Sequence, residues 1–237
     1  MADVRSRKVA ILQSNYIPWK GYFDMINMVD EFILFDDAQY TRRDWRNRNR
    51  IKTPQGVQWL TVPVEVKGRY TQKIKDTQVS DPAWGKHHWD TLRHSYARAG
   101  HFGRYAPAME QIYLNETDPH LSRINFSFIK AICGILGIRT RISWSMDYPL
   151  AEGRNERLIG LCKAVGCNRY LSGPSAKDYI DEALFAREGI SVEYMDYSGY
   201  TEYTQLYGAF EHQVTVLDLI FNEGPSATAY MKSFRNP

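Results

Sequence analysis

The sequence predicts an α/β fold with a doubly wound, mostly parallel five-stranded sheet, into which a β-hairpin and helices are inserted. Short apolar runs rich in β-branched residues alternate with longer segments of helical periodicity, the pattern of strand–helix–strand units. The 237 residues suffice for a sizeable core. We find no repeat and no low-complexity tract. We therefore expect a single α/β domain over residues 1–237, with an inserted hairpin and helical segment at about 53–137.

Five segments are predicted as the strands of the parallel sheet. They are Lys8–Gln13, Glu31–Asp36, Arg139–Trp144, Arg169–Leu171 and Ser191–Met195. In the common strand order 3-2-1-4-5, the first and fourth strands are neighbours where the order reverses, and ligands bind beyond the carboxyl ends of strands at that point. The loops that follow these two strands, Ser14–Gly21 and Gly173–Lys177, are therefore expected at the site.

The other elements are predicted as helices and one antiparallel hairpin. The helices are Gly21–Met28, Trp84–Arg98, Arg104–Leu114, Pro119–Leu136, Asn155–Val165, Ala176–Arg187 and a last one from Thr215 through Phe221. Val57–Val66 alternates and is assigned to the hairpin, with Pro63 at an edge or a strand end. Gly137 occupies the position after a helix that favours glycine, and the segment from Thr215 to Asp218 fits a capping box.

The composition favours a cytoplasmic globular protein. A net charge of +3 does not by itself indicate a nucleic-acid or membrane partner. The sequence has no signal-peptide core and no apolar stretch of membrane-spanning length. The three cysteines form no C-x-x-C pair, which favours a reducing compartment and argues against a disulfide framework or a zinc site. The aromatic content of 14% fits a carbohydrate or nucleotide site, and it fits ordinary half-buried packing equally well.

The loop after the first strand, residues 13–22 (QSNYIPWKGY), contains the first candidate binding residues. It precedes a helix whose free N–H groups and dipole favour an anion. Gln13 and Asn15 can donate hydrogen bonds to phosphate or sugar, and Gly21 lets a backbone approach closely. The candidates here are Gln13, Asn15, Tyr16, Trp19, Lys20 and Gly21. An ordinary strand-to-helix connection is the alternative.

The segment after the second strand combines two carboxylates with a basic run. Asp36 and Asp37 could bind Mg²⁺, a ribose or an amine, or one of them could act as a general base. The alternating basic residues Arg46, Arg48, Arg50 and Lys52 would share one side of an extended chain, with asparagines opposite. Because arginine forks match phosphate geometry, we predict a small phosphorylated ligand, with RNA or a solvated basic face as alternatives. The binding candidates here are Gln39, Arg46 and Arg48.

The loop after the fourth strand, residues 172–179, is the third candidate segment. Ser175 could cap the next helix, where backbone amides offer a seat for an anion, and Lys177 could neutralise phosphate. The candidates are Ser172, Gly173, Ser175 and Lys177. A capped helix start without a ligand is the alternative.

Among the histidines, His88 is the candidate general base, because imidazole titrates near neutral pH. A structural role for this histidine is the competing interpretation. The recurrence of His87, His94 and His101 every seven residues is not a zinc spacing, and no metal site is predicted. The sequence contains no P-loop, nucleophile elbow or G-x-G-x-x-G fingerprint.

Several of these segments resemble the WbqC-like family. They are residues 11–24 (ILQSNYIPWKGYFD), 36–40 (DDAQY), 45–49 (WRNRN), 60–64 (LTVPV), 170–173 (YLSG) and 218–222 (DLIFN), together with His88 ahead of Tyr96. The resemblance spans nearly the whole chain. It implies work on a nucleotide-linked sugar in bacterial O-antigen and related surface-glycan clusters, with attachment of an acyl or aminoacyl group to an amino sugar.

A more distant similarity connects the chain with the nucleotidylyltransferase and pantothenate-synthetase superfamily. That similarity implies a HUP-like, nucleotidylyltransferase-like fold and the same location for the site. Where the superfamily has H-x-G-H, this chain has Trp19-Lys20-Gly21-Tyr22. Both histidines that would steady the phosphates are missing, which puts adenylyl transfer in doubt.

These observations lead us to expect an N-acyl- or aminoacyltransferase that acts on a nucleotide-linked amino sugar of the 4-amino-4,6-dideoxyhexose type. The first loop with Arg46, Arg48 and Lys177 would hold the diphosphate. One of Asp36, Asp37 or His88 would deprotonate the amine. Acyl-CoA and aminoacyl-tRNA are the candidate donors, and no membrane partner is expected. The alternatives are an ATP- and Mg²⁺-dependent amide ligase or nucleotidylyltransferase that forms an acyl-adenylate, and a non-catalytic sugar-nucleotide-binding accessory protein.

Overall fold

A computed structural model describes residues 6–235 and contains a five-stranded parallel sheet and a separate two-stranded hairpin. The strands are β1 (Lys8–Leu12), β2 (Glu31–Leu34), β3 (Arg48–Thr53), β4 (Gly56–Thr61), β5 (Arg141–Trp144), β6 (Arg169–Ser172) and β7 (Ser191–Tyr194). The sheet order is β5-β2-β1-β6-β7, and every pairing in it is parallel. The predicted order is thereby confirmed, with β1 and β6 adjacent where the order reverses.

Helices cover both faces of this sheet. They are α1 (Lys20–Asn27), α2 (Trp84–Tyr96), α3 (Phe102–Asn115), α4 (Leu121–Leu136), α5 (Arg154–Ala164), α6 (Glu182–Arg187) and α7 (Val216–Glu223). Along β1, Val9 and Ile11 pack into one apolar cluster with residues of α5 and α6, while Ala10 packs into the other with residues of α1 and α4. This alternation, the period-two geometry of a strand, makes the fold doubly wound as predicted.

One predicted helix is wrong. The segment 176–187 is not continuous: a 3₁₀ turn covers Pro174–Asp178, and α6 begins only at Glu182. The Asp181 side chain accepts a hydrogen bond from the backbone N–H of Leu184 at 3.0 Å and caps α6. Asp181, and not Ser175, is therefore the residue that caps the α-helix of this segment.

The hairpin differs from its predicted limits. β3 begins at Arg48, ahead of the expected boundary near residue 53, and β4 ends at Thr61, so that Pro63 lies beyond the strand. Arg48 and Arg50 both contact the ring of Trp59, and therefore share a face as predicted. Asn49 is buried on the opposite side.

Between β7 and α7 the chain runs from Met195 to Thr215 without a helix or a strand. We call residues 195–215 the C-terminal segment. Thr215 caps α7 by accepting a hydrogen bond from Leu217 N at 3.3 Å. The expected capping box is not closed by Asp218, whose carboxylate instead accepts hydrogen bonds from Tyr96 and Tyr203. These two bonds join the C-terminal segment and α2 to α7.

Residues 6–235 contain neither a candidate membrane-spanning helix nor a candidate metal-binding cluster. No helix in that range combines the length and apolar character that crossing a bilayer requires. No group of three or more His, Cys, Asp or Glu side chains within it is placed to hold a metal ion.

Candidate functional site

A cavity of about 890 Å³ lies at the carboxyl ends of β1 and β6. Residues from all three segments singled out in the sequence contribute to its wall. They are Asn15, Pro18, Trp19, Trp45, Asn49 and Ser175. The location follows from the strand order, because the loops after two adjacent parallel strands emerge at the same edge.

The start of β3 fixes the loop after β1. The Arg46 guanidinium donates hydrogen bonds to the side-chain oxygens of Gln13, at 3.1 Å, and of Asn15. Asn49 Nδ2 donates to the backbone oxygens of Tyr16 at 3.1 Å and Ile17 at 2.9 Å. In this arrangement Arg46 positions the loop, whereas its predicted contact with a diphosphate stays a prediction.

The position of Trp19 on the cavity wall is set by contacts with aromatic rings and with a glycine. Its ring meets Tyr197 and Tyr200 edge-on, with centroids 5.1 Å and 5.5 Å away. A Cβ atom at Gly21 would come within 2.3 Å of the Trp19 ring. Gly21 is therefore needed for the seating of an aromatic side chain, which differs from the close approach to a ligand that the sequence suggested.

Lys20 is buried beside the cavity wall, with 3% of its surface exposed. Its Nζ donates to Thr201 O at 3.1 Å and lies 4.9 Å and 5.0 Å from the ring centroids of Tyr200 and Tyr203. Burial lowers the pKa of Lys20 to about 8, although the nearby Asp24 carboxylate opposes this shift. The ammonium form is thus penalised in the folded protein.

We predict that Lys20→Met stabilises the fold at pH 7 by about 1–3 kcal/mol. The pKa of about 8 in the folded state lies below the value of about 10.4 for lysine in an unfolded chain. The unfolded state therefore binds more protons between these values, and the penalty present below pH 8 fades as the pH rises through this window. Urea unfolding at pH 7 and at pH 10 measures the difference.

The matched control for Lys20→Met is Lys130→Met, at an exposed position on α4. This control should change stability little at either pH. A Lys20→Met gain that is equally large at pH 10, or a loss at pH 7, would contradict the burial penalty.

Asp36 lies under the first loop and is fully buried. Its carboxylate accepts hydrogen bonds from Ser14 N at 2.8 Å and from the Ser122 hydroxyl on α4. Burial raises the pKa of Asp36 and outweighs these donors, which act to lower it. Asp36 is not among the cavity-lining residues, and its contacts are those of a positioning residue.

Asp37 is not among the cavity-lining residues, and its carboxylate is held by two lysines and a serine. It forms ion pairs with Lys75 at 2.8 Å and Lys73 at 3.2 Å, and Ser145 Oγ donates to it at 3.0 Å. Burial acts to raise the pKa of Asp37, but these three partners together hold it below its usual range. An ionised carboxylate stabilised in this way is a weak proton acceptor.

His88 is buried between the first loop and the hairpin. Its Nε2 faces Thr61 O at 3.2 Å and therefore carries the hydrogen, so Nδ1 accepts from the Tyr16 hydroxyl at 2.8 Å. Burial lowers the pKa of His88 to about 4. The Tyr16 hydroxyl also lies 2.8 Å from that of Tyr113. Since both ring nitrogens have partners in the core, this geometry favours a structural role for His88 and Tyr16.

The remaining predicted residues are spread around the site. Ser175 lines the cavity, whereas Ser172 is buried 3.3 Å from the Tyr170 hydroxyl and Gly173 precedes the 3₁₀ turn. Lys177 is exposed, with its Nζ 5.1 Å from the Tyr194 ring centroid. Outside the cavity, exposed Gln39 donates to a backbone oxygen, and Arg48 lines a smaller pocket.

The C-terminal segment supplies the part of the wall that the sequence did not identify. Its lining residues are Tyr197, Gly199, Tyr200, His212 and Gln213. The aromatic density of this segment was a signal, but it has no helical or strand periodicity by which to place it. The His212 imidazole also lines this wall, and its ring meets Phe210 edge-on at 4.6 Å.

The wall is therefore rich in aromatic rings and amides and has no carboxylate among its lining residues. Aromatic faces bind sugar rings and bases, and amides bind hydroxyl groups. The cavity is suited chemically to a neutral or anionic polar ligand that carries a ring.

Comparison with known proteins identifies the family of the chain. The profile of the WbqC-like protein family matches residues 13–230, a range that contains every cavity-lining residue. The uncharacterized protein Rv1507c of Mycobacterium tuberculosis is 53% identical over 229 residues, which cover 97% of this chain and 99% of the relative. No solved structure is significantly similar to this chain. The chain therefore belongs to the WbqC-like protein family, as its motifs predicted.

Proposed function

We propose that the protein is a transferase that attaches an acyl or aminoacyl group to the amine of a nucleotide-linked amino sugar, of the 4-amino-4,6-dideoxyhexose type. Membership in the WbqC-like family supports a role in polysaccharide-related biosynthesis. The observation that carries the proposal is the cavity of about 890 Å³ at the carboxyl ends of β1 and β6. Its volume lies within the range of about 300–1,000 Å³ common for small-molecule sites.

The wall offers two kinds of contact to such a substrate. The rings of Trp19, Trp45 and Tyr197 present surfaces for a base or a hexose. The side-chain oxygens of Asn15 and Gln213 accept hydrogen bonds from arginines, so their orientations are fixed. Their amide N–H groups have no protein partner among residues 6–235, and they can donate to hydroxyl or phosphate oxygens of the ligand.

In the proposed reaction, His212 takes the place predicted for Asp36, Asp37 or His88. An ammonium group is not nucleophilic, so a base on the cavity wall must remove a proton from the substrate amine. The amine nitrogen then attacks the carbonyl carbon of the donor, and the nitrogen of the resulting tetrahedral adduct releases its second proton to solvent as the amide bond forms. The donor's C–S or C–O bond breaks, and the imidazolium returns the proton to the departing thiolate or alkoxide.

The donors that fit this chemistry are an acyl-CoA thioester and an aminoacyl-tRNA ester. Both arrive activated, so the protein needs no phosphoryl transfer, in agreement with Trp19-Lys20-Gly21-Tyr22 at the H-x-G-H position. An ATP-dependent ligase with Mg²⁺ and a non-catalytic binding protein are the competing functions that the experiment must separate.

The test combines ligand-induced thermal shifts with a turnover assay. The probes are dTDP- and UDP-linked 4-amino-4,6-dideoxyhexoses, matched sugar nucleotides without the amine, ATP with Mg²⁺, and acyl-CoA. A ligand present at a hundredfold excess over its Kd stabilises the protein by about 2.7 kcal/mol, which a thermal shift detects readily. We expect a shift with the amino-sugar nucleotides, and amide formation by mass spectrometry once a donor is added.

Two other outcomes would replace the proposal. A shift with ATP alone, accompanied by release of AMP and pyrophosphate, identifies an adenylating ligase. Binding of the sugar nucleotide without turnover with either donor class identifies an accessory protein.

A further inference from the structure

A second pocket, of about 200 Å³, lies beside the hairpin formed by β3 and β4. It shares no lining residue with the large cavity. Its basic and amide side chains are Arg42, Arg43, Asn47 and Arg48, and the rest of its wall comes from Tyr40, Thr61, the segment 62–64 and Val66. Arg48 therefore does not share a pocket with Arg46, although the two were expected to hold one diphosphate together.

The three arginines of this pocket form no direct ion pair with an acid in the described part of the chain. Arg42 Nη2 donates to Val66 O at 2.7 Å, and Arg48 donates to Arg43 O. Among residues 6–235, none of the three forms a salt bridge, whereas the neighbouring Arg46 pairs with Asp44 at 3.7 Å. The Arg42 and Arg48 guanidinium groups also lie over the rings of Tyr70 and Trp59, at 5.5 Å and 4.1 Å. Since no carboxylate pairs with any of the three arginines, their charges repel each other, and a bound anion would relieve that repulsion.

Two buried polar atoms at the same pocket have no partner. Asn47, of which 5% is exposed, donates through Nδ2 to Val62 O at 2.8 Å, but its Oδ1 accepts nothing. Arg48 Nε also lacks an acceptor. Buried polar atoms are nearly always paired in folded proteins, so an unpaired acceptor and an unpaired donor at one pocket point to a ligand that supplies both partners.

The backbone supports this arrangement. Arg43 has φ of +58°, in the left-handed region that non-glycine residues rarely adopt. This conformation accompanies the contact between Arg43 O and the Arg48 guanidinium. Strained residues of this kind persist where the surrounding structure imposes them, and they concentrate at binding sites.

We propose that this pocket binds a phosphate monoester on a hydroxyl-bearing carbon skeleton, that is, a ribose phosphate or a similar sugar phosphate. The monoester carries close to two negative charges near neutral pH, which matches three arginines better than a singly charged diester. A ligand hydroxyl donates to Asn47 Oδ1, and a phosphate oxygen accepts from Arg48 Nε. The inference does not depend on the reaction proposed for the large cavity.

The test is calorimetric titration at fixed ionic strength with ribose 5-phosphate, inorganic phosphate and uncharged ribose. The variant is Arg42→Gln/Arg43→Asn, in which asparagine tolerates the left-handed backbone. Because charge-assisted hydrogen bonds are the strong ones, we expect the variant to lose about 10-fold or more in affinity for ribose 5-phosphate. The control Arg104→Gln/Arg187→Gln removes the same charge from exposed positions elsewhere and should keep the affinity.

Asn47→Ser provides a second readout. It should weaken ribose 5-phosphate binding and leave inorganic phosphate binding unchanged, because the Oδ1 contact requires a ligand hydroxyl. If Asn47→Ser fails to fold, the variant Arg42→Gln/Arg43→Asn, which changes only exposed residues, still tests the proposal. Titration with a 5′-phosphorylated oligoribonucleotide distinguishes two sources of the phosphate. Tighter binding than that of ribose 5-phosphate would identify the end of an RNA, and weaker binding would identify a free sugar phosphate.

Three results would overturn the assignment. One is no binding of either phosphate-containing probe to the wild-type chain. Another is an equal loss of affinity in the control, which would indicate only a diffuse charge effect. The last is a loss that follows Arg46→Gln and not Arg42→Gln/Arg43→Asn, because the phosphate would then bind beside the loop after β1 and not in this pocket.

Discussion

Replacing Asp218 with alanine should lower the free energy of unfolding by about 2–5 kcal/mol. The Asp218 carboxylate is fully buried and accepts hydrogen bonds from Tyr96 at 2.8 Å and Tyr203 at 2.7 Å. Burial raises the pKa of Asp218, and the tyrosine donors offset part of that effect. Without the carboxylate, two buried hydroxyl groups lose their acceptor, and α7 loses one hydrogen bond to α2 and one to the C-terminal segment.

Urea unfolding monitored by circular dichroism measures this loss. Tyr203→Phe removes one of the two bonds and should cost about 1 kcal/mol. The control is Asp178→Ala, at an exposed position in the 3₁₀ turn, which should stay within about 0.5 kcal/mol of the wild type. A loss below 1 kcal/mol for Asp218→Ala would show that these hydrogen bonds do not stabilise the C-terminal segment.

His212→Asn should lower kcat for amide formation by about 10²–10⁴-fold, with KM for the sugar nucleotide nearly unchanged. Asparagine keeps a polar planar group on the cavity wall but cannot accept a proton from the amine. Because His212 is exposed, the variant should fold normally. Steady-state kinetics with the amino-sugar nucleotide and its donor measure the two constants separately.

Two further variants make the His212 result specific. His94→Asn, at an exposed position on α2 outside the cavity, should keep full activity. Asp37→Asn tests the base that the sequence indicated. If Asp37→Asn abolishes turnover and His212→Asn does not, the base predicted from the sequence is correct and His212 only lines the wall.

The sheet and the place of the site could be predicted because both depend on local patterns. The apolar runs of β1 and β6 end in polar loops that contain Pro18 and Gly173, and parallel pairing brings those loops to one edge. The cavity at that edge has both loops in its wall. No long-range information beyond the usual strand order was needed.

The roles of Asp36 and Asp37 could not be predicted, because their partners are distant in the chain. Adjacent residues project in different directions, so Asp36 meets Ser122 while Asp37 meets Lys75. Both partners belong to the inserted segment, where helical periodicity predicts an element such as α4 but not which residue of the sheet each of its side chains meets. The position of His212 could not be predicted for a related reason, since the C-terminal segment has neither helical nor strand periodicity.

The alternating arginines illustrate the same limit. Alternation places residues on one face only where the chain is extended, and β3 begins at Arg48. Arg46 precedes the strand and turns towards Gln13, while Arg48 contacts Trp59. Because β3 begins only at Arg48, the side chains of Arg46 and Arg48 lie apart, although the alternating pattern had placed them on one face.

The wall formed by the C-terminal segment has a consequence for how the protein is made. Strands β1 to β7 all precede Tyr197, so a ribosome completes the sheet before it synthesises this wall. The Tyr200 hydroxyl then donates a hydrogen bond to Asp24 at 2.5 Å. The Tyr203 hydroxyl can donate to Asp218 only after α7 has been synthesised. A nascent chain can therefore form its parallel sheet before the wall of the cavity is complete, and a chain truncated before Tyr197 would contain all strands of the sheet but lack this part of the wall.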